Sequence, residues 1–188
     1  RDANGLVDTG FTETITLTQD SAGSLTGGSV AAVAGVATFT SVNYSATEDQ
    51  QAFTLTADDQ AGVGTDINTT DANEVISDVV ATNLIFNTQP SGVVSGLALT
   101  TQPVVHAVDS NGIIDTGFAE VITLTENGSG AVTGNSVTAV EGIATFTALN
   151  YTATTDQENI TFTVNDQDSV GSDLGDTNAN ALTSNVSA

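Results

Sequence analysis

Chemistry in this chain has to come from carboxylates. It has 23 Asp and Glu among 188 residues, against one basic residue, Arg1, one His and no Cys. The formal net charge is −22. A chain this acidic cannot neutralise phosphates, which argues against nucleic acid and anionic membrane surfaces as partners. Its natural counter-ions are cations, and its acidic residues cluster in short Asp/Asn/Gly segments. Residues 109–115 read D-S-N-G-I-I-D and supply Asp109, Asn111 and Asp115; residues 166–176 supply Asp166, Asp168, Asp173 and Asp176. Earlier in the chain, Asp2, Asn4, Asp8, Asp59 and Asp66 occupy matching positions. Calcium takes 6–8 oxygen ligands, and carboxylates with Asn carbonyls provide them. The same residue types also form ordinary tight turns. Two readings stay open: Ca²⁺ ligands, or solvated acidic turns.

Other chemistries are poorly served. An EF-hand loop starting at Asp109 would place Glu120 correctly at its twelfth position, but its sixth is Ile114 where a Gly is required. The segment G-V-G-T-D at 62–66 matches one turn of a calcium β-roll, a fold that needs many consecutive turns. His106 lies in an alternating apolar stretch with no nucleophile elbow or phosphate loop nearby, so it reads as a strand residue. Carbohydrate binding usually relies on aromatic platforms; Trp is absent and the two Tyr are Tyr44 and Tyr151. Thr-x-Thr pairs such as Thr14/Thr16/Thr18 read as outward strand positions, which Thr favours. Without Cys or Lys the chain forms neither a disulfide nor a Lys–Asn isopeptide bond, and no apolar run approaches the roughly 18 residues of a membrane helix.

The elements that must position these residues come in two copies. D-A-N-G-L-V-D-T-G-F at 2–11 returns as D-S-N-G-I-I-D-T-G-F at 109–118, an offset of 107 (109 − 2). At that offset G-V-A-T-F at 35–39 returns as G-I-A-T-F at 142–146, and Asn43-Tyr44 as Asn150-Tyr151. A period of this length suits a whole small domain rather than a solenoid unit. The copies are 1–81 and 82–188, and the first has no counterpart of residues 82–107. In the complete copy, period-2 alternation and turn signals predict strands over 84–86, 104–108, 120–125, 132–140, 143–147, 159–164 and 181–186. Seven short strands in about 107 residues fit an all-β fold of tandem immunoglobulin-like antiparallel β-sandwiches. Phe39 and Phe146 are expected to be buried equivalently.

The stretches T-Q-P-S-G at 88–92, D-S-N-G at 109–112, Phe118 ahead of I-T-L at 122–124, and G-I-A-T-F at 142–146 resemble bacterial immunoglobulin-like repeats. The resemblance covers nearly the whole chain; loops 58–73 and 165–180 are longer and more acidic than in the simplest members. It implies a non-enzymatic, extracellular module of a bacterial cell-surface adhesin stalk or filament, partnered by adjacent repeats or identical subunits. A carbohydrate-binding module is the alternative. In such a sandwich the acidic turns return to one pole, so Ca²⁺ would stiffen the junction near residues 81 and 82. The strands missing from the first copy would come either from upstream sequence or from a neighbouring subunit by β-strand addition.

Overall fold

The computed structural model describes residues 1–59, 66–166 and 173–187, and it is all-β: among the described residues there is no helix. The chain divides into two compact units, Arg1–Asp78 and Val79–Ala188.

The first unit contains β1 (Thr14–Gln19), β2 (Ser24–Thr26), β3 (Ser29–Ala31), β4 (Asn43–Ser45), β5 (Ala52–Phe53), β6 (Leu55–Asp58), β7 (Thr70–Asp71) and β8 (Val75–Ile76). Its main sheet has the order β3-β1-β6-β7, with β2 paired to β4 and β5 to β8. The second unit contains β9 (Asn83–Thr88), β10 (Val104–Val108), β11 (Val121–Glu126), β12 (Ala131–Thr133), β13 (Ser136–Thr138), β14 (Ile143–Thr145), β15 (Asn150–Thr152), β16 (Asn159–Ile160), β17 (Phe162–Asn165), β18 (Thr177–Asn178) and β19 (Leu182–Thr183). Its main sheet is β13-β11-β17-β18, accompanied by a three-stranded sheet β14-β10-β9 and the pairs β12-β15 and β16-β19. The named strand pairs are all antiparallel.

The strands of the first unit all recur in the second. Each strand of the first unit has a counterpart 107 residues later, from β1 and β11 through to β8 and β19. The register repeats too: Ile15 lies opposite Val30 as Ile122 lies opposite Val137, and Leu17 opposite Ala57 as Leu124 opposite Val164. Even the uncommon left-handed non-glycine residues recur: Ala34 and Glu141 both have φ 50°, while Gln50 and Gln157 have φ 55° and 57°. Such backbone is rare outside Gly, so its recurrence marks the same turns in both units.

Burial follows the strand alternation. In β11, Ile122 and Leu124 are buried while Thr125 is exposed; in β17, Phe162 and Val164 are buried. They join Leu84, Val105, Ala144, Phe146, Leu149 and Tyr151 in one apolar cluster fed by every sheet of the unit. Each large side chain fully buried there contributes roughly 1.5–3 kcal/mol.

Several predicted strands differ in the structure. The run 132–140 is two strands, because Gly134 at φ 66° bends the chain. After that bend the partner changes from β15 to β11. Residues 159–164 likewise split at Thr161, β16 pairing with β19 and β17 with β11. β15 lies where no strand was expected, and β18 lies inside the loop 165–180. β14 has no strand counterpart at 36–38, since its partner β10 has no equivalent in the first unit. The expected equal burial of the two phenylalanines fails for the same reason: Phe146 is buried, whereas Phe39 is only half-buried.

Candidate functional site

Among the described residues, a group of three close carboxylates forms where β6 ends. Asp58 is its last residue and lies opposite Thr16 of β1. Asp59 follows, buried, with its carboxylate facing the Ile67 backbone N–H at 3.2 and 3.4 Å. That bond folds the returning chain back and brings exposed Asp66 alongside. Oxygens of Asp58, Asp59 and Asp66 lie within 4.8 Å of one another. Two oxygens on one Ca²⁺, each about 2.3–2.6 Å from the ion, sit at most about 5 Å apart. The trio therefore meets the spacing of a shared cation, with further ligands to come from water or backbone carbonyls. Among the described residues no other group of three or more Asp, Glu or His side chains is this close. In the second unit the same positions hold Asn165, Asp166 and Asp173, and Asn165 Nδ2 donates to Asp176 Oδ1 at 2.7 Å.

The remaining candidate ligands are largely engaged by their own turns. Asp109 Oδ1 accepts the N–H groups of Asn111 and Ile113 at 2.8 and 2.9 Å, while Asn111 Nδ2 donates to Oδ2 at 3.1 Å. Asp2 repeats this with Asn4 and Leu6 at 2.9 and 2.8 Å. Burial pushes the Asp109 carboxyl up, but the N–H donors of Ile113 and Asn111 outweigh it and hold the group below the usual range. At Asp2 the Leu6 N–H is the chief cause of a similar lowering. Asp8 and Asp115 each accept a backbone N–H two residues on, from Gly10 and Gly117 at 2.9 Å. Asp115 Oδ2 also accepts from Ala81 N–H at 2.9 Å, which fixes the segment entering β9. Buried Asp166 accepts the Leu174 N–H at 3.1 Å. Asp115 and Asp173 line a common cleft of about 660 Å³ with Phe118, Glu120 and Leu174. Asp168 lies outside the described residues.

In comparisons with known proteins, no family model and no curated sequence matches the chain.

A second feature adjoins the carboxylate trio. Asp58 and Asp59 form part of the wall of a cleft of about 360 Å³, whose apolar lining includes Phe11, Ile15, Ala32, Ala37, Ala57 and Ile67. Asp58 is the member absent from the sequence-derived ligand set; the adjacent D-D pair at a strand end was the signal for it. His106, on β10 between Val105 and Ala107, is half-buried, and burial lowers its pKa so that it stays neutral near pH 7.

Proposed function

We propose that the chain is a non-enzymatic structural module, two immunoglobulin-like repeats from the stalk of a cell-surface adhesin or from a surface filament. The observation that carries this reading is the recurrence, at one fixed offset, of eight strands together with their register and their left-handed turns. Recurrence of strands, register and turns at one offset is what a tandem array of like domains produces. The acidic surface suits an array that remains soluble at high local density. A divalent cation at Asp58, Asp59 and Asp66 belongs to this reading as a stiffening element of the first unit. The test is immunolabelling of intact cells of the source organism with antibody to the purified chain, before and after surface proteolysis. Surface labelling lost on proteolysis is expected. Labelling only after permeabilisation would overturn the surface assignment, and specific retention on a glycan array would favour the carbohydrate-binding alternative.

A further inference from the structure

Asn is followed by Gly three times in the chain, at 4–5, 111–112 and 127–128. In such a pair the Gly nitrogen can attack the Asn side-chain carbon and close a succinimide ring, since Gly has no Cβ to hinder the close approach. The reaction needs a base for the Gly N–H, stabilisation of the negative charge that gathers on Asn Oδ1, and access for water. Two of the three pairs are held in a way that withholds the base. Gly5 N–H donates to Asp2 O at 2.9 Å and Gly112 N–H to Asp109 O at 3.1 Å. Both acceptors are main-chain carbonyls, which take up no proton near neutral pH. Their Asn side chains are tied back as donors, Asn111 Nδ2 to Asp109 Oδ2 at 3.1 Å and Asn4 Nδ2 to Asp2 Oδ2 at 3.5 Å.

At the third pair, in the turn between β11 and β12, the required parts come together. Gly128 N–H donates to Glu126 Oε2, a carboxylate able to accept the proton. Asn127 Oδ1 accepts the Thr161 N–H at 2.8 Å, so a backbone donor already sits on the oxygen where charge develops. Gly128 is seated closely, since a Cβ there would lie 2.3 Å from the Tyr151 hydroxyl oxygen and 2.7 Å from Ile160 Cγ2. Asn127 itself is exposed to water. We propose that Asn127–Gly128 is a self-modifying site at which Glu126 serves as the base. Glu126 takes the Gly128 N–H proton, the freed nitrogen bonds to Asn127 Cγ, and the Cγ–Nδ2 bond breaks, the leaving NH₂ group taking that proton to depart as ammonia. Water then opens the ring. Addition at the side-chain carbonyl gives Asp, and addition at the main-chain carbonyl gives an isoaspartyl link. The first unit already carries the Asp product at the matching position: Asp20 Oδ1 accepts the Thr54 N–H at 2.7 Å, as Asn127 does from Thr161. There the counterpart of Glu126 is Gln19, an amide that cannot act as the base. The base and the reactive Asn thus occur together in the second unit and are both replaced in the first.

This inference does not rest on the cell-surface reading, so either can fail alone. The full 188-residue chain is incubated, folded and near neutral pH, in water enriched in heavy oxygen. Peptide mapping by mass spectrometry then reads Asp and isoaspartate carrying the heavy oxygen at residues 4, 111 and 127. With a positioned base worth roughly 10²-fold or more, Asn127 should convert at least about tenfold faster than Asn4 and Asn111. Glu126→Gln keeps an acceptor for the Gly128 N–H and gives the second unit the first unit's residue at this position. It should slow Asn127 by a similar factor and leave Asn4 and Asn111 unchanged. An unaltered rate at Asn127 in the folded variant overturns the inference. Should circular dichroism show that the variant does not fold, the wild-type order of rates decides. Equal rates at the three sites, a slower Asn127, or no conversion at Asn127 overturns the inference, whereas conversion led by Asn127 supports it.

Discussion

Tyr151 illustrates how one side chain ties three segments of the second unit. Its ring is buried, its hydroxyl donates to Glu158 Oε2 at 2.8 Å and accepts the Gly130 N–H at 2.9 Å. Glu158 also receives the Ser129 N–H and hydroxyl at 2.5 and 2.7 Å, and these donors with Tyr151 hold its carboxyl below the usual range. Burial, aided by the neighbouring Glu158, pushes the Tyr151 phenol up to about 12. A phenol raised above its ordinary value near 10 favours the folded state at lower pH, and that contribution disappears as pH climbs through the folded value. Tyr151→Phe should therefore cost roughly 1–3 kcal/mol at pH 7, because a backbone N–H and a carboxylate lose a partner in a part-buried setting. The variant should also lose part of the wild-type decline in stability between about pH 10 and 12, since the titrating group is gone. Urea midpoints measured from pH 7 to 12 check both, and parallel curves for the two proteins would remove Tyr151 from the alkaline response. The equivalence of Tyr44 and Tyr151 was legible in the sequence from their spacing. Their hydrogen bonds were not, because the partners differ: Tyr44 donates to Gln51 Oε1 at 2.5 Å, at the position where the second unit has Glu158.

At the scale of elements, alternation located the strands well and located their ends poorly. The second predicted strand, 104–108, coincides with β10, and the third is displaced from β11 by one residue at each end. The fourth failed at Gly134, where periodicity alone could not reveal that the halves belong to different sheets. That choice is made by distant partners, β15 for one half and β11 for the other. A Gly inside a strand pattern was the available signal, since such glycines often mark bends or close backbone approach. Both apply here: φ is 66°, and a Cβ would lie 2.1 Å from the Ala148 carbonyl oxygen, a backbone atom that cannot swing away. Gly134→Ala is expected to destabilise the second unit by about 2–4 kcal/mol, combining left-handed strain with displacement of the 148–149 segment. Gly112→Ala is the matched control, with φ 81° but nothing within 4 Å of the added carbon, and should cost about 1 kcal/mol. Equilibrium urea unfolding separates them, and equal losses would show that the Ala148 contact is not a real constraint.

For the whole molecule, repetition was the most legible feature and the grouping of the candidate metal ligands the least. The offset of 107 predicted which residues correspond, but corresponding residues need not share chemistry: Asp58 has Asn165 as its counterpart. Among the described residues the candidate trio thus exists in one unit only, formed when the Asp59–Ile67 bond returns the chain beside β6. Two electrostatic effects then have to be separated. A net charge of −22 repels itself in any compact state, so monovalent salt should raise the melting temperature through screening alone. A cation shared by Asp58, Asp59 and Asp66 gives a further rise at constant ionic strength. At a free Ca²⁺ concentration ten times the dissociation constant, linkage adds about 1.4 kcal/mol to the first unit. Weak extracellular-type sites bind at roughly 10⁻⁴–10⁻³ M, so millimolar Ca²⁺ against chelator is the informative range. Asp58→Asn gives the first unit the second unit's residue at this position. It should abolish the Ca²⁺-specific rise while leaving the response to NaCl nearly intact, one charge in 22 being removed. Differential scanning calorimetry of both proteins in matched ionic strength reads this directly. If the wild-type curves in Ca²⁺ and in chelator coincide, the three carboxylates act as turn residues, as Asp109 does in its own turn, and the acidity serves solubility alone.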